Sequence, residues 1–364
     1  MGDSRFFRVY VVPSSVFLSV VFGGSYGSGR EVVEYVSRYG PSGGFLALAA
    51  IVMGYGILLS LSFELARIFR AYEYDAFFRV LLGRAAFLYE VVIIAAMILV
   101  LAVVAAAAGT IVEDHFGASS FWGSAAMLAS VVMLTYYGRT IVERSMVVSV
   151  TALALFLAVL IGWSILEHAG EIQLTFDRGG GEDGAFWGGL TYAVANGGFI
   201  PLLLYCARDL RTQKECLAAG LVAGTVAAVP ALVFHLVFMA GFPEIIQERL
   251  PAYWIVEALT NPGLLNFYVI ILFVLVCQTG VGLLQGFLER VEAISNRLRQ
   301  QPLNPVSHGV FSGGAVILSM IFAEVGLVAL IAAGYSILSA TFTAVFVLPL
   351  LTRGVYQVIR GSRN

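Results

Sequence analysis

Four stretches of this chain run long enough without a charged residue to cross a bilayer: Val91–Val112, Ser145–Leu166, Ala185–Ala207 and Leu264–Leu288. A helix needs about 18 to 20 apolar residues to traverse roughly 30 Å of hydrocarbon, so each stretch suffices alone. The two-residue alternation of a membrane barrel is missing, and runs such as Ala102–Ala108 favour helix, which leaves an all-α polytopic membrane protein. A composition of 59% hydrophobic and only 12% charged residues over 364 positions lies far outside the soluble range. The net charge of -2 offers nucleic acid no basic footprint. Cys206, Cys216 and Cys277 lie in or beside apolar spans without metal-ligand or redox spacing, as small packing residues do.

Cutting at polar turns predicts ten spans, near 9–36, 43–68, 85–112, 119–137, 143–166, 185–208, 215–242, 262–288, 309–325 and 334–353, with the first and sixth interrupted. Lysine and arginine are retained in the cytoplasm during insertion. All of them except Arg30, Arg38, Arg178 and Arg249 fall on one side if the N-terminus is inside, which predicts cytoplasmic N- and C-termini, in a bacterial inner membrane. Arg5 and Arg8 precede an apolar run that lacks an A-x-A cleavage site, so the N-terminal segment is expected to be retained. Asp75–Gly83 reads as a short amphipathic helix on the inner face, and Pro243–Thr260 as a connector lying over the outer face.

The two interruptions carry the functional reading. The first span contains Phe22-Gly23-Gly24-Ser25-Tyr26-Gly27-Ser28-Gly29-Arg30-Glu31, and four glycines in seven residues weaken a helix. The sixth contains Asn196-Gly197-Gly198-Phe199-Ile200-Pro201, where proline lacks a backbone donor. Open backbone at membrane depth is tolerable only where protein or a water-filled cavity satisfies it. Half-helices starting near Ser28 and Phe199 would aim positive ends at an anionic group, and those ending near Phe22 and Ala195 would offer carbonyls to a cation. A broken helix leading each half predicts one transmembrane domain of two inverted five-helix repeats, 7–166 and 184–355. Gly220-xxx-Gly224 and Gly282-xxx-Gly286 are expected to permit close helix packing.

At these residues the chain resembles the LeuT-fold, or amino acid-polyamine-organocation, superfamily, and within it the YkvI-like membrane proteins. The matching residues are Gly23, Gly24, Tyr26, Gly29, Arg30 and Glu31 in the first span, Asn196-Gly197-Gly198-Phe199 in the sixth, and Gly334-Tyr335 in the tenth, after Leu330-Ile331. The resemblance implies a secondary transporter of a small amino acid, related zwitterion or organic amine, working by alternating access and needing no cofactor. It places a small-molecule substrate against Ser25, Gly27, Ser28, Gly29, Tyr192, Asn196, Gly197, Gly198 and Phe199, with its carboxylate on the Ser28 and Gly29 amides. It also implies coupling to Na+ or H+. A sodium site would use the Gly23 and Tyr26 carbonyls with Thr279, but where sodium-coupled members carry two hydroxyl residues, Gln278-Thr279 supplies one. A proton, or a site completed by Gln278, stays open. A ligand sensor or channel is the alternative.

Charged residues in the membrane are functional hypotheses by default. Glu90, about six residues into the third span, is an ion-coupling candidate if its carboxylate is unpaired. Arg30 and Glu31 read as an outer gate, an ion pair, or a seat for a cationic substrate group. Glu64 is expected to pair with Arg67, His235 to bond a neighbour, and Glu324 to cap the ninth helix. Tyr26, Tyr192, Phe199 and Tyr335 read as aromatic gates. Gly23-x-Ser25-x-Gly27 formally matches a serine-nucleophile motif, but in a broken membrane helix with scattered histidines it predicts no enzyme.

Overall fold

The computed structural model describes residues 5–137, 155, 158–159, 162–163, 166–181, 183–259, 262–299 and 304–361. Among these the regular structure is all helix, without a strand. The order is α1 (Val12–Val21), α2 (Arg30–Tyr35), α3 (Gly40–Phe69), α4 (Tyr74–Leu82), α5 (Phe87–Phe116), α6 (Ser120–Tyr137), α7 (Ala169–Arg178), α8 (Ala185–Gly197), a 3-10 segment over Ile200–Ala207, α9 (Gln213–Phe238), α10 (Pro251–Leu259), α11 (Pro262–Arg299), α12 (Pro305–Ala323) and α13 (Leu327–Gly361). Six described helices are long and apolar enough to span a membrane, and α8 with its 3-10 continuation makes a seventh. The fifth predicted span, 143–166, lies mostly outside the described residues.

The helices form two packed groups. In one, which we call the bundle, α3 lies against α8 and α9, and α9 against α1. The contact is close because small residues line it: Gly220 meets Ser60, and Gly224 meets Gly56 and Tyr55. Gly282 departs from the expectation, since it is exposed with nothing near it, while its companion Gly286 touches Met97. The second group, the frame, consists of α5, α6, α11 and α12. α13 contacts both groups, touching α8 and α5. Large apolar side chains such as Val91, Ile270, Ile321 and Ile337 stand exposed on the outer surface, where lipid would solvate them.

The predicted amphipathic segment at 75–83 is α4. The predicted connector carries a short turn at Glu244–Gln247 followed by α10. The last helix starts at Leu327 rather than near 334, because the chain reverses at Gly326, whose φ of 94° suits glycine. The sequence reading missed α7, which is polar on much of its surface and too short to span. α5, with 30 residues, is about 45 Å long and defines two opposite ends of the molecule. Tyr89 and Glu90 lie at the end that carries Arg297; Asp114, paired with Arg249 of the connector, lies at the other.

Candidate functional site: two interrupted helices and a buried carboxylate

α1 stops at Val21, where Phe22 leaves the helical backbone with ψ 61°. One turn over Gly24–Gly27 follows, then Gly29 at φ 78°, and α2 begins at Arg30. Within this interruption the Tyr26 and Gly27 amides donate to the Gly23 carbonyl at 3.1 and 3.4 Å, and the Gly29 amide to the Tyr26 carbonyl at 2.9 Å. The Gly29 amide assigned to a substrate carboxylate, and the two carbonyls assigned to sodium, are therefore engaged locally in this state. Gly23 does face Thr279: a Cβ there would lie 3.8 Å from the Thr279 hydroxyl oxygen. Gln278 is buried on the same helix, α11. The Ser25 side chain lies outside the described residues.

Other carbonyls of the interruption find donors elsewhere. The Tyr268 hydroxyl of α11 donates to Gly27 O at 2.9 Å, and the Ala252 amide of α10 donates to Ser28 O at 2.9 Å. The Ser28 hydroxyl accepts from the Arg30 amide at 3.2 Å. Phe238 presses on Gly29, where a Cβ would come within 2.5 Å of the ring.

At the sixth span the chain bends by 66° between Gly197 and Ile200, and Pro201 opens the 3-10 segment, where its missing donor costs nothing. Asn196 turns its amide group back to the Tyr192 carbonyl at 3.2 Å, and the Phe199 amide donates to Asn196 O at 3.1 Å. Gly198 O accepts the Tyr89 hydroxyl of α5 at 2.9 Å. Leu58 packs on Gly197, and the Phe342 ring on Gly198 and Phe199.

Glu31 joins the two interrupted spans. Only 2% exposed, it accepts the Tyr192 hydroxyl of α8 and the Tyr335 hydroxyl of α13, one on each carboxylate oxygen, both at 2.8 Å. Tyr35 lies against both rings, 5.4 Å from Tyr192 and 6.1 Å from Tyr335. The expected Arg30–Glu31 gate is divided. Arg30 pairs with Glu34 at 2.6 Å and donates to the Ile246 and Glu248 carbonyls of the connector at 2.8 and 3.0 Å. One helix turn separates residues four apart onto one face, which is why Arg30 finds Glu34 rather than its neighbour.

Glu90 is corrected as well. Its ion-coupling role required an unpaired carboxylate, whereas the structure gives it Arg297 at 3.3 Å and the Tyr74 hydroxyl at 3.0 Å. It lines a cavity of about 210 Å³ with Asp75, Arg79 and Arg84, at the Arg297 end of α5. Glu64 pairs with Arg67 at 2.7 Å, and Glu324 ends α12. His235 lies between the Ser37 hydroxyl at 3.1 Å and the Pro41 carbonyl at 3.2 Å, which suits a neutral ring donating from Nε2. Tyr89, Tyr268, Tyr35 and Tyr55 were not singled out in the sequence. With 13% aromatic residues no tyrosine stands out by composition, but Tyr89 and Tyr268 both lie near the start of the third helix of their predicted half, a correspondence that aligning the halves would expose.

No family model matches the sequence, and no curated protein does. Solved structures do. The Eremococcus coleocola manganese transporter, bound to an aromatic bis-isothiourea compound, aligns over 96% of this chain and 80% of its own with TM-score 0.57 and 12% identity. MhsT in complex with L-phenylalanine aligns over 97% and 87%, with TM-score 0.58 and 16% identity. The outward-open state of a Na+-coupled sialic acid symporter aligns over 96% and 86%, with TM-score 0.51 and 11% identity. The fold is the LeuT fold. At these identities the likeness fixes architecture alone. Among the described residues no three His, Cys, Asp or Glu side chains gather as a metal site.

Proposed function

We propose that this chain is a secondary active transporter of a small amino acid, related zwitterion or organic amine, working by alternating access in a bacterial cytoplasmic membrane. The reading takes the chain as YkvI-like, with ten spans in two inverted halves and both termini cytoplasmic. One observation carries it. A tyrosine hydroxyl of the frame holds each interruption of the bundle, Tyr268 on Gly27 near one end of α5 and Tyr89 on Gly198 near the other. Each bond is the kind that releases when one group rocks on the other, and each end can open while its counterpart stays closed. Sodium at Gly23, Tyr26 and Thr279, or a proton, would supply the driving force.

Uptake of labelled alanine, glycine and ethanolamine into proteoliposomes tests this, with sodium and proton gradients imposed separately. Gradient-driven accumulation that collapses with an ionophore is the expected result. Saturable binding without flux under either gradient would replace the carrier by a ligand sensor.

A further inference from the structure

The cavity of about 210 Å³ at the Arg297 end of α5 is lined by no residue of either interruption. Its walls come from α4, the turn after it and the start of α5, and Arg297 reaches in from α11. Two carboxylates line it, and both are already served. Asp75 has Arg79 at 2.6 Å and Arg297 at 3.2 Å; Glu90 has Arg297 at 3.3 Å and the Tyr74 hydroxyl at 3.0 Å. Arg84, which also lines the cavity, is exposed and its guanidinium has no partner among the described residues. Two more arginines stand behind the wall. Arg353 of α13 brings a guanidinium nitrogen 3.8 Å from where a Cβ on Gly83 would lie, and Arg290 of α11 lies over the Tyr74 ring at 3.9 Å. Neither has a carboxylate partner among the described residues, and Arg290 Nε is buried without a hydrogen bond. Five arginines thus meet two carboxylates, which leaves the corner positive. Its mouth opens on apolar surface: Phe87 lines it at 61% exposure, and Val91, one turn further on the same face of α5, is 62% exposed. Arginines beside such a surface stand where hydrocarbon gives way to water, the depth of lipid phosphates.

We propose that this cavity seats the headgroup of an anionic phospholipid, its phosphate held by Arg84 and Arg353 and its acyl chains lying along Phe87 and Val91. Guanidinium groups match phosphate oxygens with paired, charge-assisted hydrogen bonds. The volume is below the roughly 300–1,000 Å³ of sites that enclose a drug-sized ligand, and suits a headgroup whose chains stay outside. A choline headgroup would carry a second cation into a corner already positive, so phosphatidylglycerol is favoured over phosphatidylcholine. Free phosphate presents the same oxygens but forgoes the apolar contact at the mouth. The inference concerns the lipid around the protein and does not depend on what the interrupted helices carry.

Native mass spectrometry of the purified full chain, titrated in micelles with phosphatidylglycerol or phosphatidylcholine, tests this by counting bound lipid. One equivalent of phosphatidylglycerol should bind about tenfold more tightly than phosphatidylcholine. Arg84→Gln and Arg353→Gln should each weaken that equivalent about fivefold. Ala86→Phe fills the cavity without changing charge and should abolish it. Arg70→Gln removes an exposed arginine at the end of α3, in the bundle, and should leave it unchanged. Millimolar glycerol 3-phosphate should not displace the lipid. Phosphatidylcholine matching phosphatidylglycerol, Arg70→Gln weakening binding as much as Arg84→Gln, or binding unchanged in Ala86→Phe would each reduce the effect to diffuse charge and overturn the proposal. Displacement by glycerol 3-phosphate would overturn the lipid as occupant. Arg84 and Arg353 are exposed, so their variants decide the matter even if Ala86→Phe does not fold.

Discussion

The first interruption is locked by polar contacts from several elements, whereas among the described residues the sixth is held by the Tyr89 hydroxyl and by packed apolar side chains. At the first, Tyr268 and Ala252 hold successive carbonyls and Arg30 ties α2 to the connector. The connector is in turn fastened to the frame, because Arg249 pairs with Glu113 and Asp114 of α5. At the sixth, Tyr89 holds Gly198, and Leu58 and Phe342 fill the remaining space. Ion pairs at that end include Arg5 with Glu215 and Arg67 with Glu64 in the bundle, Arg297 with Glu90 in the frame, and Arg297 with Asp75 of α4 at 3.2 Å. Separating the groups at the Arg249 end must break the Tyr268, Ala252 and Arg30 contacts together, while at the Arg297 end the sixth interruption itself is held to the frame through Tyr89, beside the contacts of Arg297 and Glu90 with α4. The unliganded protein should therefore open more readily at the Arg297 end.

The comparison is broken most severely at Gly29. Its φ of 78° and the Phe238 ring 2.5 Å from an added Cβ leave no room for a side chain, so Gly29→Leu should lower alanine affinity by about 100-fold or more. Isothermal titration against wild type would measure it. Arg30→Gln comes next. It removes one of the two arginine partners of Glu34, which keeps Arg38, and cuts the connector loose, at a cost of about 1.5–3 kcal/mol. Denaturant midpoints should fall, and amide exchange should rise across residues 243–259 before it rises at the sixth interruption.

Tyr268→Phe and Tyr89→Phe sharpen the contrast. Each leaves a buried carbonyl without its donor, worth about 1–3 kcal/mol, but the two should bias the molecule toward opposite openings. Amide exchange would rise around Ser28 in the first variant and around Phe199 in the second. Arg249→Ala should matter least, below about 1 kcal/mol, since its pairs with Glu113 and Asp114 are solvent-exposed for nearly half of the arginine side chain. Its effect should fade at high salt.

Much of the fold was legible in the sequence because lipid imposes crude rules. Apolar length marked the long helices, and glycine clusters with Pro201 marked where backbone turns aside, at Phe22–Gly29 and Gly197–Ile200. The short helix α4 showed in its amphipathic pattern. The partners of the opened backbone were not legible. A tyrosine that caps a carbonyl across the molecule, such as Tyr268 on Gly27, has the same local sequence character as one that packs in lipid. Arg30 beside Glu31 suggested a pair by adjacency, yet helical geometry sends Arg30 to Glu34. Glu90 likewise looked isolated because Arg297 lies 207 residues away in sequence.

Side-specific thiol labelling in sealed vesicles tests the two-lock arrangement most directly. Cys206, Cys216 and Cys277 are buried and would first be replaced by alanine. Ser28→Cys and Phe199→Cys would then be probed with a membrane-impermeant reagent from each face. Adding Tyr268→Phe should speed labelling at position 28 from the Arg249 face alone, and adding Tyr89→Phe should speed labelling at position 199 from the Arg297 face alone. Acceleration from the same face in both variants, or unchanged rates in both, would contradict alternating access through these two tyrosine locks.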